Sequence, residues 1–411
     1  MDAARRRFGF WLTTVGILVF SAAVASPSPV YPLYQAAWHL TPVAMTAMFA
    51  IYVAGLLGGL LTAGSLSDFV GRRAVVLPAI VVCFVALILL GSAGGLGAVL
   101  IARTVQGIAM SLVVGSLGAS LLDFAPPGNP RLAATFNGAL WPLGLAVGAL
   151  LGGLMVDDAP SPTHLVFYVL AAVVVVLFVA MWFLPASAGR RPGALTSLKP
   201  SVSLPPRVRG VFFAVLGCLL AAWALGGLYL GMGASIVRSL FGFHAAVDGA
   251  LAMAAVCGVG AVTGIATQSR DARRVMMAGA ATLIVGPVLT IVSVHTHESW
   301  LFYVSSVVSG VGFGAGFQGG LRLVLAEADE NGRAGVLSAV YVACYGAFSV
   351  PALIAGLLTP RLGLSEVVTG YAVLIVLMAA VALVLQLTRR AVRETELVAD
   401  ADEQEHQRVG A

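Results

Sequence analysis

Two arginines inside otherwise apolar segments are the residues of this sequence most able to do chemistry. Arg103 lies in "AVLIARTVQGIAMSLVV", with Gln106 one turn later, and Arg322 lies in "GFQGGLRLVLA". A charge in hydrocarbon is costly, so such residues usually serve ions, protons or substrate. We therefore treat Arg103, Gln106 and Arg322 as candidates for coupling. The alternative is that each arginine only bonds to neighbouring helices or extends its side chain to the membrane interface.

Acidic residues are absent from the middle of every apolar segment. A carboxylate is the simplest proton carrier in a membrane and the simplest partner for a cationic compound. The candidate acids are peripheral: Asp68, Asp123, Asp248 and Glu327. We therefore expect a cargo that is neutral or anionic and amphipathic, with any proton coupling through Arg103 and a peripheral acid.

Polar and aromatic residues within the apolar segments are candidates for lining a transport pathway. Three pairs are four residues apart, so each pair shares one helix face. The pairs are Asn137 with Trp141, Gln318 with Arg322, and Tyr341 with Tyr345. Such faces are expected to point inward, although tyrosine and tryptophan also mark the interfacial belt of membrane proteins. The candidate cavity residues are Tyr34, Asn137, Trp141, Trp223, Gln318, Tyr341 and Tyr345.

The elements that must position these residues are membrane-spanning helices. Of 411 residues, 59% are hydrophobic and only 10% are charged, too apolar for a water-soluble domain. Segments such as 74–90 are apolar on every face, whereas barrel strands alternate. Because a span needs roughly 20 apolar residues, we predict twelve, at 8–29, 43–63, 74–94, 97–121, 132–155, 164–184, 210–231, 246–267, 275–294, 300–325, 334–358 and 368–388.

The distribution of basic residues predicts the orientation of the spans. With a cytoplasmic N-terminus, nineteen of the 23 Lys and Arg fall in cytoplasmic segments and two, Arg238 and Arg361, fall outside. This bias is the expected positive-inside signature. We therefore predict a multi-pass protein of the cell inner membrane with both termini in the cytoplasm. The basic residues are explained by this orientation, and we expect no nucleic-acid partner.

The twelve spans fall into two matching halves. The segment beginning "AATFNGALWPLGLAVGALLGG" after Arg131 aligns with "GVLSAVYVACYGAFSVPALIAG" after Arg333, so that Gly144 falls opposite Gly346. Parallel repeats of this kind place a substrate site between the halves. We predict an N-terminal six-helix bundle at 1–184, a cytoplasmic linker at 185–209, a C-terminal six-helix bundle at 210–390 and an acidic, disordered tail at 391–411.

Three motifs resemble those of the major facilitator superfamily. "GSLSDFVGRR" resembles its signature between helices 2 and 3, with Phe69 in place of the usual arginine, and "RTVQG" resembles its second signature in helix 4. "GLAVGALLGG" in helix 5 resembles the antiporter motif, but has Ala149 where proline is usual; Pro351 occupies the matching place in helix 11. The glycines of this last motif, Gly144, Gly148, Gly152 and Gly153, also suit close helix packing.

The resemblance implies a fold, a function and roles for charged residues. The fold is all-α, with twelve helices in two pseudo-symmetric bundles. The function is secondary active transport by alternating access, most similar to proton antiporters that export drugs or metabolites and confer multidrug resistance. The first signature, comprising Gly64, Asp68, Gly71, Arg72 and Arg73, would form a conformational latch together with Asp123. In that latch Asp68 would engage the start of helix 11, and Arg72 would pair with Asp123 in the outward-open state.

Two other functions stay open from the sequence. An importer or facilitator of a small nutrient has the same fold, and only the weakened helix-5 motif favours export. An integral-membrane enzyme would need a nucleophile, paired acids or metal ligands near one interface. His295 and His297 beside Glu298 are the nearest approach to a metal site, and a weak one. We expect no enzyme activity, cofactor or metal, and a monomer whose partners are a small molecule, protons and the lipid bilayer.

Overall fold

A computed structural model describes residues 2–127, 130–185, 192–194, 198, 202–329 and 333–409. These residues form α-helices joined by short turns, with no strand among them. The helices are α1 (Ala3–Ala25), α2 (Tyr31–Trp38), α3 (Pro42–Ala63), α4 (Leu66–Val70), α5 (Arg72–Gly91), α6 (Leu96–Asp123), α7 (Pro130–Asp158), α8 (Leu165–Trp182), α9 (Pro206–Phe241), α10 (Ala246–Ala266), α11 (Ala272–Thr296), α12 (Ser299–Ala326), α13 (Arg333–Leu362) and α14 (Leu364–Val409).

Within the described residues, twelve helical segments are long and apolar enough to cross a membrane, which confirms the predicted number. Their boundaries differ most in the first span, which continues to Trp38, and in α9, which extends beyond the predicted span at both ends. Extending a helix in a membrane costs little free energy, because the backbone groups of each added residue are hydrogen-bonded within the helix. The chain is therefore a multi-pass membrane protein with an all-α fold.

The first span is broken, because proline interrupts it. Helix α1 ends at Ala25, Ser28–Val30 form a 3₁₀ turn, and α2 then continues to Trp38. Proline has no backbone N–H to donate to the carbonyl four residues earlier. Since Pro27 and Pro29 fall at this point, the carbonyl oxygens at the end of α1 need other partners.

The bundle has two halves, α1–α8 and α9–α14, that meet along two seams. One seam pairs α7 with α10, and the other pairs α3 with α13. In the second seam, the rings of Phe49 and Phe348 lie 4.7 Å apart. We call the end of the bundle at the turn between α4 and α5 the Arg72 end, and the opposite end, where α7 finishes, the Asp157 end.

Large apolar side chains cover the outside of the bundle as well as its interior. Val176 is 69% exposed and Ile101 is 61% exposed, although both lie within spans. Such a surface would be unfavourable in water and is expected where hydrocarbon surrounds the helices. The interior is packed with small and apolar residues from both halves.

The connections outside the spans are described only in part. Of the predicted linker at 185–209, the basic residues Arg190, Arg191 and Lys199 lie outside the described residues. Towards its end, the N–H of Ser203 donates to the carbonyl oxygen of Gly335, which attaches the linker to the start of α13. The predicted acidic tail at 391–411 follows the last span on the same helix, since α14 continues as helical backbone to Val409. This segment has no glycine or proline and is rich in alanine, glutamate and arginine, which favour helix.

Candidate functional site

The expected latch residues Arg72 and Asp123 lie together at the Arg72 end. Gly71, with φ of 96°, separates α4 from α5 and places Arg72 at the first position of α5. Nε of Arg72 donates to Oδ2 of Asp123 at 3.2 Å, so the start of α5 is joined to the end of α6. The arginine side chain is 12% exposed and the aspartate 30%. Such a half-buried pair is screened less than a surface pair.

Asp68 lies on the other side of the same guanidinium group. It forms an ion pair with Arg72, which also donates to Oγ of Ser67 at 2.9 Å. The Asp68 side chain is 54% exposed. The expected contact of Asp68 with the start of the eleventh span, which is α13, is not among the polar contacts of the described residues.

The other members of the first signature serve helix packing. The guanidinium carbon of Arg73 lies 5.2 Å from the ring centroid of Trp182 on α8, a cation–π arrangement. Gly64 lies against α6, because a Cβ at Gly115 would be only 2.5 Å from the Gly64 carbonyl oxygen. These residues fix α3, α5, α6 and α8 around the Arg72–Asp123 pair.

Arg103 is 1% exposed, and its hydrogen bonds in the described residues go to uncharged oxygen atoms. Nε donates to the carbonyl of Met48 at 3.3 Å, and one terminal nitrogen donates to the carbonyl of Val24 at 3.2 Å and to Oε1 of Gln106 at 2.5 Å. The guanidinium carbon lies 4.5 Å from the Tyr52 ring centroid. Arg103 thus ties α6 to α1 and α3.

Gln106 completes this network at the broken end of α1. Its Nε2 donates to the carbonyl oxygen of Ala23 at 2.8 Å. In an unbroken helix that oxygen would accept from residue 27, which is a proline; Oγ of Ser26 is its second partner, at 3.2 Å. Gln106 therefore replaces the backbone donor that Pro27 lacks, and Arg103 bonds to the neighbouring carbonyl of Val24 at the end of α1.

Arg322 lies at the Arg72 end and holds the end of α10. Its terminal nitrogens donate to the carbonyls of Gln268 at 2.6 Å and Arg270 at 2.7 Å, and more weakly to Thr267 at 3.4 Å. A cation is favourable beside the free carbonyls of a helix C-terminus. The side-chain amide oxygen of Gln268 in turn accepts a hydrogen bond from Thr135 of the other half. Arg322 thus supports a contact between the halves.

The glycines of α7 divide between two neighbouring helices. A Cβ at Gly148 would lie 2.1 Å from the Ala22 carbonyl oxygen, and Gly144 and Gly152 approach α1 similarly closely. Gly153 instead faces α10, where a Cβ would lie 2.9 Å from Cα of Val247. Three glycines thus pack within the first half, and the fourth allows the halves to meet. Pro351 lies inside α13, the helix that forms the other seam.

Trp223 is at the centre of an aromatic cluster in the second half. Its ring is perpendicular to that of Tyr345, with centroids 4.5 Å apart, and contacts Phe317, Phe348 and Tyr341 at 5.5, 5.7 and 6.4 Å. The cluster borders the first half, because Phe348 also contacts Phe49. Within the described residues, the buried Nε1 of Trp223 has no hydrogen-bond partner. A buried donor without a partner is costly, which suggests that a ligand or water satisfies it.

The remaining cavity candidates, Asn137, Trp141 and Gln318, are on α7 and α12. The buried Oδ1 of Asn137 has no partner in the described part of the chain, and its amide packs against Gly118. The Gln318 amide approaches both Gly138 of the first half and Gly264 of the second. Trp141 is half-buried. Gln318 thus lies between the halves, whereas the Asn137 amide faces α6 within the first half.

Tyr34 lies apart from the other cavity candidates. It is fully buried at the Asp157 end, where its ring stacks on Trp38 at 4.3 Å and its hydroxyl donates to the Thr163 carbonyl at 3.3 Å. Through these contacts Tyr34 packs within the first half. Sequence reasoning missed Tyr52 and Phe348; Phe348 continues the 341, 345 spacing along α13, which was an available signal.

Comparisons with known proteins agree with this geometry. The sequence model of the Major Facilitator Superfamily matches residues 13–270. A provisionally named multidrug resistance protein, MdtD, of Pectobacterium carotovorum subsp. carotovorum (strain PC1) is 26% identical over 186 residues, 45% of this chain and 39% of that protein. Its counterpart in Pectobacterium atrosepticum is 27% identical over 179 residues, 43% of this chain and 36% of that protein. The chain therefore covers under two fifths of the length of these relatives.

Solved structures share the fold over nearly the whole chain. A bacterial homolog of the human lysosomal transporter Spinster, inward-facing and unoccupied, has a TM-score of 0.75 and 13% identity, covering 94% of this chain and 98% of the other. A variant of the nucleoside transporter NupG has a TM-score of 0.67 and 13% identity, covering 93% and 99%. At this identity, the likeness is one of fold alone.

Proposed function

Because the chain belongs to the Major Facilitator Superfamily, we propose that it exports a small neutral or anionic amphipathic compound, a drug or metabolite, in exchange for protons. That it is a membrane transporter follows from the family and from twelve apolar helices. We propose the direction of transport, the class of cargo and the proton as the coupling ion. The resemblance to MdtD, a protein named for multidrug resistance, favours export.

The observation that carries the cargo class is the Trp223 cluster. Five aromatic rings, packed edge-on around Trp223 and reaching the first half through Phe348, offer an apolar surface. The indole N–H, which has no partner among the described residues, offers one donor. Aromatic and apolar walls with few placed polar groups are typical of small-molecule sites. All the acidic residues of the sequence lie outside the middle of the spans, so a cation would find no countercharge here.

The latch and the buried arginine have separate roles in this proposal. The Arg72–Asp123 pair stabilises one of the two access states by holding α5 against α6 at the Arg72 end. Arg103 supplies positive charge next to α1 and α3, where a change in protonation of a peripheral acid would be felt. The glycines of α7 and Pro351 let the helices of both seams shift.

We further propose that the Arg72 end faces the cytoplasm of the cell, with the protein a monomer in the inner membrane. The excess of basic residues at this end supports that orientation. A cysteine introduced at exposed Ser161, near the Asp157 end, should react with a membrane-impermeant maleimide added to intact spheroplasts. If Ser161→Cys reacts only after the spheroplasts are lysed, the Arg72 end faces outward and the proposed orientation is wrong.

Accumulation of two probes in cells tests export and cargo class together. Cells lacking their own drug exporters would express the chain or an empty vector and receive chloramphenicol, a neutral aromatic compound, or ethidium, a cation. We expect cells that express the chain to accumulate less chloramphenicol than cells with the empty vector. A protonophore should raise chloramphenicol accumulation to the level of the empty-vector cells, and ethidium accumulation should be the same in both. Greater chloramphenicol accumulation would indicate import, and an effect on ethidium alone would contradict the cargo class.

A further inference from the structure

The start of α10 is bonded to the end of α7, across the border between the halves. The N–H of Ala246 donates to Oδ1 of Asp157 at 2.7 Å, and the N–H of Val247 donates to Oδ2 of the same carboxylate at 2.9 Å. Asp157 is on the first half and α10 is on the second. One side chain therefore joins the halves through two backbone hydrogen bonds.

Helix α10 has no capping side chain of its own. The first N–H groups of a helix lack intrahelical partners, and a Ser, Thr, Asp or Asn just before the helix usually accepts from them. The residue in that place here is Ala245, whose side chain carries no acceptor. The Asp157 carboxylate supplies the missing acceptor and also places negative charge at the positive end of the helix dipole.

Neighbouring contacts bring the halves together at the same end. Gly153, one turn before Asp157, lets Val247 and Ala250 approach α7 closely. Oγ of Ser28, in the break after α1, donates to the Leu230 carbonyl of α9 at 2.8 Å. Opening this end would separate α7 from the start of α10. The two N–H groups would then lose the carboxylate, so Asp157 stabilises only the state in which this end is closed.

We propose that Asp157 is a positioning residue for transport, which sets the balance between the closed and open states at the Asp157 end by capping α10 from the opposite half. The inference rests on the alternating access of the proposed function. It depends neither on the direction of transport nor on protons. Removing the carboxylate shifts the population towards the open state without touching the aromatic cluster.

The test measures the opening of this end without any cargo. Ser161 and Ser239 are exposed near the Asp157 end, one on each half. The variants S161C and S239C would be combined in a chain whose four native cysteines, all buried, are replaced by alanine. Spin labels at the two sites report the distance between the halves by pulsed electron paramagnetic resonance in lipid nanodiscs.

Asp158 provides a matched control, since it is adjacent, exposed and makes no hydrogen bond or ion pair among the described residues. For D157A we expect the ratio of long-distance to short-distance populations to rise about fivefold, as for loss of a helix cap. D157N, whose –NH₂ cannot accept, should give a smaller rise, and D157E should restore the closed population in part. D158A should leave the distribution unchanged.

Equal distributions for the parent and D157A, or equal shifts for D157A and D158A, would overturn the proposal. D157N keeps the shape of the side chain, so it replaces D157A in the distance measurement if D157A does not fold. The measurement needs no transported compound, so a failure of the export proposal would leave its result intact. Conversely, unchanged distances in a protein that exports chloramphenicol would reject only the role of Asp157.

Discussion

The side-chain amide of Gln106 donates a 2.8 Å hydrogen bond to the carbonyl oxygen of Ala23, 83 residues earlier in the chain. The oxygen is available because Pro27, four residues after Ala23, has no N–H. The proline break in the first span and the polar residues of α6 are thus two parts of one arrangement. This relationship explains why a glutamine is buried in an apolar helix, where its side-chain oxygen also accepts from Arg103.

A double-mutant cycle tests that arrangement. Gln106→Leu should lower the apparent melting temperature in detergent, since the Ala23 carbonyl loses its shorter hydrogen bond, at a cost of about 1 kcal/mol. In a Pro27→Ala background the backbone N–H of residue 27 is restored, so the same substitution should cost less. Additive effects of the two changes would contradict the link between proline and glutamine.

Reversal of the Arg72–Asp123 pair tests the latch. R72Q and D123N should each reduce chloramphenicol export several-fold, because each removes the ion pair that joins the start of α5 to the end of α6. The double variant R72D/D123R should recover part of the lost rate. The exposed pair Arg207–Glu327, at 3.6 Å, is the control, and its reversal should change export little. No recovery in R72D/D123R would argue against the pair.

Two glycine substitutions separate packing from helix propensity. Gly148→Ala places a Cβ 2.1 Å from the Ala22 carbonyl oxygen and should destabilise the protein by about 1–3 kcal/mol through overpacking. Gly346→Ala meets nothing within 4 Å and should be neutral or stabilising by up to about 1 kcal/mol. Thermal unfolding of both variants gives the comparison. Equal stabilities would show that α1 and α7 are not in close contact.

The indole N–H of Trp223 is expected to bind cargo directly. Trp223→Phe keeps an aromatic ring but removes the donor, so the KM for chloramphenicol should rise roughly two- to tenfold, the equivalent of one hydrogen bond. The maximal rate should change less. Trp300, 62% exposed at the start of α12, is the control, and its replacement by phenylalanine should leave KM unchanged. An unchanged KM for Trp223→Phe would place the cargo elsewhere.

The fold was predictable because the signals for membrane helices are local. An uninterrupted apolar run predicts a span by itself, and the motifs of α4–α5 and α6 carry the family. The break of the first span was also visible, in Pro27 and Pro29, but its consequence for Arg103 was not. The partner of a buried arginine depends on which carbonyls the tertiary structure brings near it.

The parts of the site that join the halves were least accessible from the sequence. In the sequence, Asp157 is an ordinary acidic residue at the end of a span. Only Ala245, which cannot cap α10 with its side chain, indicates that the helix needs an acceptor from elsewhere. Tyr34 was predicted to line the cavity; its stacking on Trp38 was not indicated by the sequence. The composition of the C-terminal segment indicated low hydrophobicity correctly, yet it also favours the helix that α14 forms.

The most direct test of the account is transport into proteoliposomes with the pH gradient under control. Purified protein would be reconstituted, and uptake of radiolabelled chloramphenicol measured with a gradient imposed, absent, or collapsed by a protonophore. The account predicts accumulation above the external concentration only while the gradient is maintained. Uptake that equalises with the external concentration at the same rate in all three conditions would contradict proton exchange and indicate facilitated diffusion.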